Sequence, residues 1–118
     1  MKIKEMLMMN TPDALATLAA LAQESRLAIF RFLVTLGPAG MAATKIGEDL
    51  NIPASSLSFH LKELTHAGLI VPRHESRFII YAADFERMNA LISFLNENCC
   101  GGNPCSPNQA CRTGLALS

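Results

Sequence analysis

The first 98 residues of this 118-residue chain contain no cysteine. Disulfides therefore cannot staple that region. A chain of this length does not need them, because one core can bury roughly two-thirds of its unfolded surface. No stretch reaches 18 apolar residues, so no membrane-spanning helix is expected. Nor is there a formal net charge, which argues against nonspecific, charge-driven binding to nucleic acid or membranes but leaves room for a small DNA-reading face. The chain lacks a Gly-rich phosphate loop, an H-E-x-x-H metal pair and any Ser-His-Asp order that can be placed. No enzyme activity is expected, and His60, His66 and His74 receive no catalytic role. The start has lysines like a signal peptide, but Glu5, Asn10, Pro12 and Asp13 interrupt any apolar segment. A cytoplasmic protein is expected, in a compartment where thiols stay reduced.

What is present reads as one helical domain with a small hairpin. "TPDALATLAALAQESRLAIFRFLVTLG" holds two helices. Thr11 or Asp13 can cap the first, Pro12 suits its first turn, and Leu15, Leu18, Leu21 and Ala22 follow helical spacing. A break near Gln23–Ser25 leads to a second stripe, Leu27, Phe30, Leu33 and Val34, which Gly37 and Pro38 end. "MAATKIGEDLN" gives a short helix with Ile46 and Leu50 inward. Ile52-Pro53 marks a turn, and "ASSLSFHLKELTHAG" is a further helix closed by Gly68. The β-rich runs Leu69–Val71 and Phe78–Tyr81 flank a polar turn around Glu75-Ser76, a hairpin signal, with Pro72 on an edge. "DFERMNALISFLNENCC" is a last helix, capped by Asp84, with Phe85, Met88, Leu91, Ile92 and Leu95 on one stripe. Residues 1–98 form the folded unit on this reading, and 99–118 a tail whose Gly, Pro, Asn and Ser do not pack a core.

At about 100° per residue, Ala54, Leu57, Leu61 and Leu64 share one side of the helix beginning at Ala54. The other side carries Ser55, Ser58, Phe59, Lys62 and His66, with Ser56 on its shoulder and His60 at its flank. A face small and polar at its N-terminal end suits base edges or phosphates, which recognition helices meet there. Lys62 fits a phosphate and Phe59 a thymine methyl. His60 also has a structural reading, bonding a backbone group to orient the helix. The short helix, the turn and this helix make a helix-turn-helix, and the hairpin is its wing, with Arg73, His74 and Arg77 at the tip. From Ala54 to Arg77, Lys62, Arg73 and Arg77 face only Glu63 and Glu75. So slight a basic excess calls for a dimer that doubles each contact.

"LAALAQESRLAIFRFL", "SLSFHLKELTHAGLI" and "RHESRFIIY" together resemble the ArsR/SmtB family of winged-helix repressors over roughly Ala14–Leu95. The resemblance implies a homodimer through the first and last helices, double-stranded operator DNA as partner, and Ser58 and His60 in the DNA-contacting helix. Many members carry arginine or glutamine where Phe59 stands. Members that sense metal through cysteines before the recognition helix find no counterpart in "AATKIGEDL". The histidines that other members use on the last helix are missing as well.

That leaves Cys99, Cys100, Cys105 and Cys111. Thiolates select soft ions, and trivalent arsenic takes three of them in a pyramid. Some arsenic-responsive members are similar in carrying adjacent cysteines at the end of the last helix. Adjacent residues diverge by about 100° on a regular helix, so Cys99 and Cys100 need a frayed end to converge. The following "GGNP" lets the chain fold back and bring Cys105 to them; Cys111 is a weaker fourth ligand. As(III) is the expected inducer, with Sb(III), a methylated arsenical or another soft metal as alternatives. A Cys₄ zinc site departs from the usual C-x₂₋₄-C pairing. If present, it would suit a rival reading, a winged helix that binds a partner protein around a structural zinc knot.

Overall fold

The computed structural model describes residues 9–102. Helix α1 (Thr11–Leu21) begins where Asn10 turns extended and its side chain accepts the amide of Asp13 at 2.8 Å, with Pro12 in the first turn. The cap is thus Asn10 rather than Thr11 or Asp13. Gln23 caps α2 (Glu24–Leu36) in the same way, accepting the amide of Arg26 at 2.9 Å. A 3₁₀ turn (Gly37–Ala39) leads to strand β1 (Met41–Ala42), then α3 (Ala43–Leu50) and α4 (Ala54–His66). Strands β2 (Ile70–Glu75) and β3 (Phe78–Ala83) precede α5 (Phe85–Asn96), which Asp84 caps as expected, accepting the amide of Arg87 at 3.0 Å.

The strands form one antiparallel sheet in the order β1-β3-β2. Strand β1 was not expected. Met41 and Ala42 read as the head of a helix, and two residues carry no period of their own. They are extended because they pair with Tyr81 and Ile80 of β3. Just before them Gly40 has φ of +67°, and a Cβ there would collide with the carbonyl of Tyr81. Glycine at this point is what lets β1 approach β3.

Ile29, Leu33, Ile46, Leu64, Leu69 and Ile70 are the large, fully buried side chains that join α2, α3, α4 and the base of the sheet. Each contributes on the order of 1.5–3 kcal/mol by leaving water. A second cluster sets Met9 and Ala14 against Ala90 and Leu91, holding α1 to α5. Here the sequence expectation needs correcting. Helix α1 turns Ala14, Thr17 and Ala20 inward rather than Leu15 and Leu18, which are 61% and 39% exposed; of the expected stripe Leu21 is half-buried against the core. Small residues let the helix lie close, and the buried Thr17 hydroxyl is satisfied by donating to the Asp13 carbonyl at 2.8 Å. Leu27 is likewise exposed, while Ile29 fills the core beside Phe30 and Leu33. On α5, Leu91 is buried, but Ile92 and Leu95 face outward. Among the described residues no helix is long and apolar enough to cross a membrane.

Candidate nucleic-acid interface and thiol pair

Helices α3 and α4 meet at a tight turn. Asn51 adopts the left-handed conformation, its amide bonds the carbonyl of Glu48, and the amide of Ile52 reaches that of Gly47 at 2.9 Å. Gly47 lies against Leu57, and a Cβ there would stand 3.1 Å from Leu57 Cδ2. Leu57, Leu61 and Leu64 bury the inner face of α4, as the sequence predicts. Ala54 is exposed in the first turn. At the far end Gly68, with φ of +81°, and Leu69 close the helix through bonds to Thr65 and Leu64.

Ser55, Ser56, Ser58, Phe59 and Lys62 are all exposed, along one side of α4. No side chain caps the N-terminus of α4; Pro53 occupies the cap position. Its first amides are left to an external acceptor, and the helix dipole favours an anion there. Phe59, 55% exposed, packs edge-on against His60 with ring centroids 5.7 Å apart.

His60 is half-buried, and its partner is not the backbone. Arg26 Nη1 lies 3.3 Å from His60 Nδ1, while Arg26 Nε donates to the Ala20 carbonyl at 2.7 Å. Burial, and then the Arg26 charge, hold the imidazole pKa below its ordinary 6.5. No local pattern in "QESRLAIF" signals this contact, which spans thirty-four positions.

In the wing, β2 and β3 pair from Ile70–Ala83 to Glu75–Phe78, leaving Ser76 and Arg77 as a two-residue loop. Pro72 sits on the edge strand, where the missing amide donor costs nothing. Ser76 has φ of +56°, a conformation usually given to glycine at the first position of a type II′ turn. Arg77 is at the tip. Arg73 is not: it lies opposite Ile80 in the body of the wing. Its guanidinium donates to Glu75 at 2.6 Å and to the carbonyls of Pro38 and Ala39 at 3.3 and 2.8 Å, tying the wing to the 3₁₀ turn that follows α2.

Beyond α5 the chain turns sharply. Asn98 and Cys100 have φ of +59° and +58°, and Gly101 follows at +70°. This break from helical geometry brings the sulfurs of Cys99 and Cys100 to 3.7 Å. Two thiolates on a tetrahedral ion at 2.3 Å stand about 3.8 Å apart, a separation close to that of this pair. Among the described residues no cluster of three or more His, Cys, Asp or Glu could hold a metal. Cys105 and Cys111 lie outside the described residues.

Fold and surface together define a winged helix-turn-helix protein. Residues 21–73 match the helix-turn-helix domain family. The chain is 43% identical over 58 residues to the uncharacterized HTH-type transcriptional regulator YceK of Bacillus subtilis (strain 168), a match covering 49% of this chain and 57% of that one. It thus spans little more than half the length of that relative. Among solved structures, the HlyU transcriptional regulator of Vibrio vulnificus CMCP6 is 30% identical with a TM-score of 0.56, covering 85% of this chain and all of that one. An ArsR-like transcriptional regulator from Rhodococcus sp. RHA1 superposes with a TM-score of 0.66 over 90% of each chain at 23% identity. The chain belongs with the winged helix-turn-helix transcriptional regulators, a class that is not enzymatic, and shares its fold with the ArsR-like regulator.

Proposed function

We propose that this regulator is a homodimeric repressor that holds operator DNA through α4 and the wing and releases it when trivalent arsenic binds Cys99, Cys100 and Cys105. The observation that carries the metalloid part is the 3.7 Å approach of the Cys99 and Cys100 sulfurs at the end of α5. A third thiolate completes the pyramid that arsenic takes, and Cys105 is the nearest in sequence. On this reading residues 1–98 bind DNA and dimerise, and 99–118 form the metalloid-binding tail.

Several features support the DNA part. Ser55, Ser56, Ser58, Phe59 and Lys62 are exposed beside the free first-turn amides of α4, an arrangement suited to phosphates and base edges. His60 flanks that face. Arg77 extends the surface at the wing tip, while Arg73 fixes the wing with three of its five N–H donors and keeps the others for a phosphate. Leu15 and Leu18 on α1, with Ile92 and Leu95 on α5, leave apolar side chains in water on the first and last described helices, and a second copy would cover them.

The deciding experiment titrates the reduced full chain, bound to promoter DNA, with arsenite, antimonite, zinc and cadmium. Release by arsenite and antimonite at lower concentration than by zinc is the expected result. Equal release by zinc would make another metal the inducer in place of As(III), and no release by any ion would remove the sensing role.

A further inference from the structure

At the start of α2, Arg26 reaches across to α4. Arg26 is fixed at its base, where its amide donates to Gln23 Oε1 at 2.9 Å and its Nε to the Ala20 carbonyl at 2.7 Å. Its Nη1 then meets His60 Nδ1 at 3.3 Å. Chemistry settles the direction of that contact. A guanidinium has five N–H donors, no acceptor, and stays protonated in proteins. His60 Nδ1 is therefore the acceptor, and a neutral imidazole accepting at Nδ1 carries its proton on Nε2.

We propose that Arg26 is a positioning residue for DNA reading, locking His60 as the Nε2–H tautomer so that α4 offers a hydrogen-bond donor at this position. The proposal rests on α4 being the recognition helix. It specifies the chemistry of the target: an acceptor such as guanine O6, purine N7, thymine O4 or a phosphate oxygen, and not the amino group of adenine or cytosine. The edge-on ring of Phe59 restrains the imidazole from its own helix. Arg26 is the charged group in contact with His60. Glu63 and His66 lie further along α4, where they line a cleft of about 340 Å³ with Arg26 and with Ala16 and Ala19 of α1. A lowered imidazole pKa, from burial and the Arg26 charge, agrees with an accepting Nδ1.

The test pairs spectroscopy with DNA binding. Long-range ¹H–¹⁵N spectra of the ¹⁵N-histidine-labelled full chain, with His60 identified through His60→Gln, should show a bare Nδ1 and a protonated Nε2 at neutral pH. In Arg26→Gln the two tautomers should mix and the His60 pKa should rise toward 6.5. Affinity for a duplex enriched by the wild-type protein from a random pool should then fall roughly tenfold, with affinity for unrelated duplex unchanged. If Arg26→Gln does not fold, the wild-type spectrum and the enriched-duplex affinity of His60→Ala, expected to fall as far, still decide. A wild-type His60 protonated on Nδ1, or in mixed tautomers, overturns the proposal. So does a fixed tautomer whose loss leaves the enriched duplex bound as before. In that second case Ser58→Ala and Lys62→Ala separate the causes: if they weaken binding, only the role of Arg26 fails, and if they too bind like wild type, the recognition-helix reading itself fails.

Discussion

Single residues carry strain and contact here in unequal measure. Gly40→Ala forces an alanine into a left-handed conformation against the Tyr81 carbonyl, at a cost of about 2 kcal/mol or more; urea denaturation should show the midpoint falling with the slope unchanged. On α4, Lys62→Ala should weaken specific and nonspecific DNA binding alike and reduce the salt slope by about one. Ser58→Ala should cost about 1–3 kcal/mol on the specific site alone if the hydroxyl reads a base. His60 makes stability depend on pH. Its folded pKa lies below the ordinary 6.5, so between those values the unfolded chain binds more protons. The contribution is therefore complete above pH 6.5 and is lost as pH falls through the window beneath it. Unfolding free energies measured across that range should decline for the wild type and decline less for His60→Gln.

At the scale of elements, α1 and α5 pack together through small or buried residues, Ala14 on one side and Ala90 and Leu91 on the other, with Leu21 and Phe94 half-buried against them. Leu15, Leu18, Ile92 and Leu95 are left outside. That arrangement suits a helix pair built to receive a second copy, and it selects the residues for a test. Leu91 is 7% exposed, so a charge there would damage the protomer itself. Ile92 and Leu95 are 47% and 60% exposed, and their replacement by glutamate should leave the protomer folded. Sedimentation of Ile92→Glu/Leu95→Glu should give monomers with wild-type helix content and greatly weakened operator binding. A surviving dimer would place the interface elsewhere.

For the whole molecule, the proposed induction requires that the thiol pair speak to the DNA face. Helix α5 connects them, since its outward side chains lie at the proposed dimer surface and its end carries Cys99 and Cys100. Moving the population from 99% to 1% DNA-competent requires about 5.5 kcal/mol of differential binding. Three thiolate bonds can supply that only if they form better in the released state. Cys99→Ser, Cys100→Ser and Cys105→Ser should each bind DNA normally and fail to release with arsenite, whereas Cys111→Ser should respond nearly as wild type. Normal release from Cys105→Ser would indicate a two-thiol site and a methylated arsenical as the signal. Log affinity should fall linearly with log salt for DNA, a dependence that a protein partner need not show.

Periodicity and punctuation alone determined much of this chain. The leucines at 57, 61 and 64 specify the buried face of α4 because a 3.6-residue repeat admits one inward side. Gly68 and Asp84 mark helix ends because their local chemistry suits a left-handed cap and an amide acceptor. The adjacent cysteines set an expectation of soft-ion chemistry, and the break after α5 is what brings their sulfurs to 3.7 Å. Other features only the tertiary structure decided. In α1, alanine and leucine fit the helical repeat equally well, so the inward face was set by how closely its neighbours approach: Ala14 faces α5 and Ala20 the main core. Two residues of β1 have no pattern to read and became a strand because β3 had an open edge. Arg73 and Arg26 look like any exposed arginine in sequence. One became a wing clamp and the other a partner for His60, because their acceptors are supplied by elements some thirty-five positions away.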